Sequence, residues 1–312
     1  MKRITMTKND DLTIEQAFEL FIRKATVRNL SQNTIRVYGY HFETFCNYVT
    51  REDLISNVTE KTIDNFIMYL KENTAANDVT INSYMRTIRS FLYYCMENGY
   101  LQRFKVTMVK AEKKIKETYT EQELEKLLKK PNLKTCSFTE YKTWVFENYL
   151  LGTGNRISSA LNVRICDIDF DSEMILIRKT KNRKQQLIPL SHTLSEVLQE
   201  YLLIRKGEPE DFLFCNMYGG QGNRRTFQQE VQEYNVRRGV NKTSCHLFRH
   251  TFAKHWILSG GDIFRLQKIL GHYDLAVTKE YLQMFGHDLQ QDFDSFNPLD
   301  KMQKQQKVAI HM

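Results

Sequence analysis

The sequence predicts a mainly α protein of two domains, the first wholly helical and the second mostly helical with one small antiparallel sheet. Three observations carry this expectation. The 312 residues exceed the size at which a single hydrophobic core usually keeps growing. Apolar residues recur at helical spacing through most of the chain. One stretch, between residues 165 and 189, instead breaks into short β-branched runs separated by polar turns.

The elements follow in order. Thr13-Ile14-Glu15-Gln16 is a capping-box pattern, and the stripe Ala17, Leu20, Phe21 behind it predicts a first helix. A second stripe runs from Thr34 to Tyr48 through Ile35, Tyr38, His41, Phe42 and Phe45. A third helix is predicted from Thr59 to Leu70 and a fourth from Val79 to Met96, which completes an all-α domain over residues 1–104. Residues 105–118 lose periodicity and gather lysines, the composition of an exposed linker. Thr120-Glu121-Gln122-Glu123 is a second capping box that opens the next domain, residues 119–287. A helix over 138–151 ends at the turn Gly152-Thr153-Gly154-Asn155. Ile165–Asp169, Glu173–Arg178 and Gln186–Pro189 read as the three strands. Helices are then expected at 194–204, 224–237, 246–258, 262–270 and 275–284, with a tail over 288–312. No internal repeat or low-complexity segment interrupts the chain.

Composition narrows the function classes. Hydrophobic residues at 41% and charged residues at 26% exclude a disordered or fibrous chain. Forty-five Lys and Arg against 37 Asp and Glu give a net charge of +8, which suits a polyanionic partner without requiring one. The six cysteines are scattered with no C-x-x-C pair, so reduced thiols in a cytoplasmic protein are expected. The basic N-terminus leads into polar residues rather than an apolar run, and no 18-residue apolar stretch follows. Neither secretion nor a membrane span is therefore expected.

Three separated segments carry the chemical signal: Gly154-Asn155-Arg156-Ile157-Ser158, His246-Leu247-Phe248-Arg249-His250-Thr251-Phe252-Ala253, and Leu270-Gly271-His272 with Tyr281 nine positions further on. In these the sequence resembles the tyrosine recombinases, a family that includes phage integrases, transposon integrases and the Xer resolvases. The resemblance spans essentially the whole chain and implies an N-terminal core-binding domain, a linker and a C-terminal catalytic domain. It implies roles position by position. Arg156 matches the first motif arginine, His246 and Arg249 the H-x-x-R motif, His272 the histidine of the L-G-H motif, and Tyr281 the nucleophile. Lys181 falls where the family keeps a hairpin lysine, although Lys179 and Lys184 flank it and are able to substitute.

The chemistry needs these residue types. Breaking a phosphodiester gathers charge on its nonbridging oxygens, and two guanidiniums, expected to be Arg156 and Arg249, can clamp them with rigid paired donors. His272 is expected to add a hydrogen bond. A free tyrosine has a pKa of about 10, so Tyr281 needs a proton acceptor, and His246 is the candidate. Lys181 is expected to protonate the departing 5′ oxygen. Since the phosphate ester is exchanged rather than hydrolysed, neither ATP nor metal nor another cofactor is called for. Two departures stand out: Ser159 occupies the place of the family's usual acidic residue, and Asn155 stands where an apolar residue is common.

Other readings were weighed. His246, His250, His255 and His272 suggest a zinc cluster, but no H-E-x-x-H carboxylate or cysteine pair accompanies them. Arg36, Tyr40, Lys71, Arg86 and Arg89 are equally a DNA-facing surface or ordinary helix surface. The resemblance implies a clamp on double-stranded DNA recombination sites, acting as a homo-tetramer, with accessory directionality proteins as further partners. It also implies that the tail, with Leu289, Phe293, Phe296 and Leu299, packs on a neighbouring protomer. No room precedes residue 10 for an extra arm-binding domain, which favours a simple recombinase. Integration or excision of a mobile element is the preferred role, and Xer-like dimer resolution the alternative. A DNA-binding module without catalysis and a type IB topoisomerase-like enzyme are the rivals from other classes.

Overall fold

The computed structural model describes residues 12–112, 117–178, 185–216, 218–272, 274–275, 278–279 and 281. The chain divides into two compact units, Met1–Lys114 and Ile115–Met312.

The first unit holds four helices: α1 (Ile14–Val27), α2 (Gln32–Cys46), α3 (Glu60–Asn73) and α4 (Asp78–Glu97). Each starts at a side-chain cap, from Thr13, Ser31, Thr59 and Asn77, whose oxygen accepts an otherwise unpartnered N–H of the first turn. The long α4 runs against the other three, so its apolar face forms the centre of the core. That core is aromatic: Phe18 stacks on Phe42 with ring centroids 3.7 Å apart, and Phe91 meets Phe18 edge-on. Residues 105–109 depart from the expected exposed linker. Val106 is buried in this core, and Asn82 Nδ2 donates to Val109 O at 2.7 Å while Val109 N donates to Asn82 Oδ1 at 3.0 Å. The apolar residues between the lysines anchor that stretch.

The second unit is built on α6 (Phe138–Thr153), against which α5 (Glu121–Leu128), α8 (His192–Arg205), α9 (Arg224–Arg237) and α10 (Cys245–Leu258) all pack. Being covered on all sides, α6 is apolar around most of its circumference rather than along one stripe. The sheet runs β1 (Ile168–Asp169), β2 (Met174–Ile177), β3 (Gln186–Pro189), all antiparallel, with Ile175 opposite Ile188. Ile175, Ile177 and Ile188 point into the core while Leu187 on the other face is 62% exposed. Two expectations are corrected. Residues 165–167 form a 3-10 turn, not a strand, because the Asp167 carboxylate accepts the Arg164 N–H and closes the turn. Gly152 and Thr153 belong to α6, and a one-turn helix, α7 (Ile157–Ala160), follows the break. The last helix, α11 (Ile263–Leu270), ends at Gly271. Of the helix expected over 275–284, the described residues are helical and the rest lie outside the described set, as does the tail from 288. No helix among the described residues is long and apolar enough to cross a membrane.

One buried group sets a pH dependence on this unit. Glu147, on α6, is fully buried and neither carboxylate oxygen has a hydrogen-bond partner. Burial lifts its pKa well above the ordinary 4.5, an effect that the neighbouring Arg238 charge only partly opposes. The unfolded chain gives up this proton near 4.5, whereas the folded chain keeps it. Stability from this group is therefore complete below pH 4.5 and declines as pH rises towards the folded pKa. Glu147→Gln is expected to match the parent at pH 4.5 and to gain on it towards pH 8 by about 1.4 kcal/mol per pH unit for as long as the folded carboxyl stays protonated. Urea unfolding at both pH values checks this, and a parallel pH profile for variant and parent would refute it.

Candidate active site

The site forms where the ends of α6 and α11 meet α10. Helix α6 stops because Gly154 takes the left-handed conformation, φ +62°. A side chain is also excluded there by space: a Cβ on Gly154 would lie 2.6 Å from Phe252 Cδ1 and 2.9 Å from Leu270 Cδ2. The break leaves the Gly154 carbonyl facing α10 and places Arg156 two residues on, at the cap of α7. Asn155 is buried and its Nδ2 donates to the Tyr149 hydroxyl at 3.0 Å. This gives the unusual amide at that position a task, satisfying a hydroxyl that an apolar residue would leave unpaired. Ser159 is buried within α7.

Arg249, only 3% exposed, is the cross-tie of the site. Its Nη1 donates to Gly154 O at 2.8 Å, and its Nη2 to Leu270 O at 2.7 Å and to His272 Nε2 at 2.7 Å. Its charge also faces the Tyr281 hydroxyl. Burial, and then the like charge of Arg156, pull its pKa down to about 10. Arg156 is lowered too, chiefly by burial. No carboxylate among the described residues forms an ion pair with either arginine. Two neighbouring guanidiniums so held favour an anion between them.

A guanidinium only donates, so the contact with Arg249 fixes the tautomer of His272. Nε2 carries the lone pair, and Nδ1 carries the proton that it shares with Thr278 Oγ1 at 2.8 Å. The His272 and Tyr281 rings lie within 7° of parallel at 6.2 Å. Tyr281 is 2% exposed, and its hydroxyl is 2.9 Å from Nδ1 of His250. His246, one turn earlier on α10, lies against His250 with ring centroids 5.9 Å apart. The turn that presents His272 is held by Gln186 at the start of β3. Its Nε2 donates to Lys268 O, which the Gly271 N–H also bonds, and at 2.8 Å to Ile269 O, both in the last turn of α11.

Of the residues singled out from sequence, the structure thus brings together Arg156, Arg249, His272 and Tyr281, with His246 beside them through His250. Lys181 lies outside the described residues. A partner of the Tyr281 hydroxyl is His250, which the sequence offers only as a zinc candidate although it adjoins Arg249. Thr278 and Gln186 carried no signal, since hydroxyls and amides are common and their contacts are long in sequence. Among the described residues no group of three or more His, Cys, Asp or Glu converges as a metal site would require.

The comparisons fit this geometry. The family model for the phage integrase family matches residues 117–287, more than half of the chain, and that for a phage integrase SAM-like domain matches residues 16–115. The chain belongs to the phage integrase family. Similar proteins include tyrosine recombinase XerD of Staphylococcus haemolyticus, 26% identical, covering 87% of this chain and 94% of that protein. Tyrosine recombinase XerC of Oceanobacillus iheyensis is 28% identical, covering 87% and 92%. Among solved structures, Tn1549 transposon integrase with a circular intermediate DNA has a TM-score of 0.72 at 21% identity, covering 86% of this chain and 95% of that one. A lambda integrase dimer bound to a core site gives 0.71 at 16% identity, covering 88% and 97%. These structures share the mainly helical fold with its small sheet. The tyrosine recombinases of the phage integrase family are site-specific enzymes that break and rejoin DNA.

Proposed function

We propose that this chain cuts one strand of a DNA duplex with Tyr281, keeps the broken end as a 3′-phosphotyrosine, and rejoins it to a second strand. The observation that carries this reading is the Tyr281 hydroxyl itself, buried against Arg249 and His250 beside Arg156. Arg156 and Arg249 hold the nonbridging oxygens, where a preorganised donor contributes roughly 100- to 1,000-fold in rate. His272 adds a hydrogen bond from Nε2 once that nitrogen is protonated, with Thr278 accepting from Nδ1 in either state. Proton acceptance from Tyr281 falls to the histidines of α10, His246 by its motif position and His250 by its contact. Lys181, between β2 and β3, protonates the leaving 5′ oxygen. Ester exchange conserves the bond energy, so the scheme runs without ATP.

The +8 charge supports duplex DNA as the partner. In this reading the first unit grips the recombination site, the second cuts it, and four protomers bridge two sites through their 288–312 tails. Integration or excision of a mobile element is the role we favour, on the first-motif departures at Asn155 and Ser159. Similarity to XerC and XerD over most of the chain supports dimer resolution as the second reading.

The test is a nicked suicide duplex carrying the DNA that flanks the gene, incubated with protein and chelator. A covalent protein–DNA adduct is expected from the parent and none from Tyr281→Phe. An adduct persisting in that variant places the nucleophile elsewhere, binding without adduct in the parent indicates a DNA-binding module, and site-independent plasmid relaxation indicates a topoisomerase.

A further inference from the structure

We infer that His250 is a catalytic residue of this enzyme, holding the Tyr281 hydroxyl and receiving its proton, a part that the motif positions give to His246. The inference rests on Tyr281 being the nucleophile. Ser244 caps α10, with its Oγ accepting the His246 N–H at 3.3 Å, and this cap fixes where the helical face begins. Arg249 and His250 are consecutive on α10; the Arg249 charge faces the phenol, and His250 Nδ1 lies 2.9 Å from its oxygen. A guanidinium has no acceptor. Of these two groups, only His250 Nδ1 can take the proton, and Nε2 then carries the hydrogen of the neutral ring.

The step balances. The Tyr281 O–H bond breaks as an N–H bond forms at His250 Nδ1. The freed electron pair attacks phosphorus, and the bond from phosphorus to the 5′ oxygen breaks, that oxygen taking a proton from Lys181. On rejoining, the incoming 5′ hydroxyl gives its proton to Lys181 and its electron pair to phosphorus, the bond from phosphorus to the tyrosine oxygen breaks, and the His250 proton returns to that oxygen. Phenol is a weaker acid than imidazolium, so proton transfer alone is uphill. It becomes favourable as charge passes from the phenol oxygen to a phosphate held between Arg156 and Arg249. His246, whose ring is near-parallel to that of His250 with centroids 5.9 Å apart, then supports that ring.

The atom that makes the contact decides the test. Asparagine at 250 places an amide where Nδ1 stands, whereas glutamine reaches to where Nε2 stands. On the suicide duplex, His250→Phe is expected to lower the rate of adduct formation about 100-fold, the usual size of a proton-transfer contribution. DNA binding should stay within about threefold, since affinity rests mainly on phosphate contacts elsewhere. His250→Asn should cut about tenfold faster than His250→Gln, an order-of-magnitude recovery for restoring one hydrogen bond. Parent-like cutting by His250→Phe overturns the inference, and so does His250→Asn cutting no faster than His250→Gln, since a space-filling role would not distinguish them. Tyr281→Phe runs in parallel: an adduct there defeats the nucleophile assignment instead, whatever the His250 series shows.

Discussion

Arg249→Lys is expected to cut the suicide duplex about 100- to 1,000-fold more slowly than the parent, the cost of losing one preorganised donor set at a developing anion. Charge is conserved, so any loss must come from geometry. The guanidinium reaches Gly154 O, Leu270 O and His272 Nε2 at 2.7 to 2.8 Å. One ammonium on a flexible stem cannot occupy all of these directions. At least one buried carbonyl loses its donor, so the second unit should also be destabilised by about 1–3 kcal/mol. His272 loses the contact that fixes its tautomer. Thermal unfolding and adduct formation measured on the same preparation check both parts. Arg249→Lys cutting within tenfold of the parent would show that positive charge, not the planar fork, is what the site needs.

Gly154→Ala carries the second large effect, and it falls on stability first. Two costs combine: the left-handed backbone disfavours any Cβ by about 1–2 kcal/mol, and contacts at 2.6 and 2.9 Å add overpacking of about 1–3 kcal/mol. A total near 3 kcal/mol is expected in urea unfolding. Gly260 supplies the control, since it has φ +75° with nothing within 4 Å of its Cβ position, so Gly260→Ala should show only the backbone cost. Activity should fall as well, because relief of the clash moves the carbonyl that orients Arg249 and the turn that carries Arg156. A displacement of about 1 Å at reacting groups can cost about 100-fold. Equal destabilisation by the two alanines would show that the Phe252 and Leu270 side chains give way freely.

Much of this architecture is legible in the sequence because its signals are local. Thr13 and Thr120 each cap a helix as their boxes predict, and the periodic stripes of α1 to α4 and α9 match the structure within a few residues. Misreadings arise where a distant partner overrides local preference. Ile165-Cys166-Asp167 is β-branched in part, yet the Ile165 and Cys166 N–H groups donate to Asp211 O and Pro209 O, 46 and 43 positions away, and the segment closes into a 3-10 turn. Val106 and Val109 sit among lysines, and only the Asn82 side chain, 27 positions away in the chain, reveals that they are anchored. The same holds at the site. Arg156, Arg249, His272 and Tyr281 are readable because motif spacing is local, whereas Gln186 is not, since its carbonyl partners lie 82 and 83 positions away.

The bonds of Arg249 span very different lengths of chain, 21 positions to Leu270 and 95 to Gly154. Local helices can form as they leave the ribosome, but this joint closes only when residue 272 has been made and folded back. A chain that stops earlier carries Arg156 but not Leu270, His272 or Tyr281, so the cross-tie and, on the proposed function, the nucleophile are the last parts of the site to arrive.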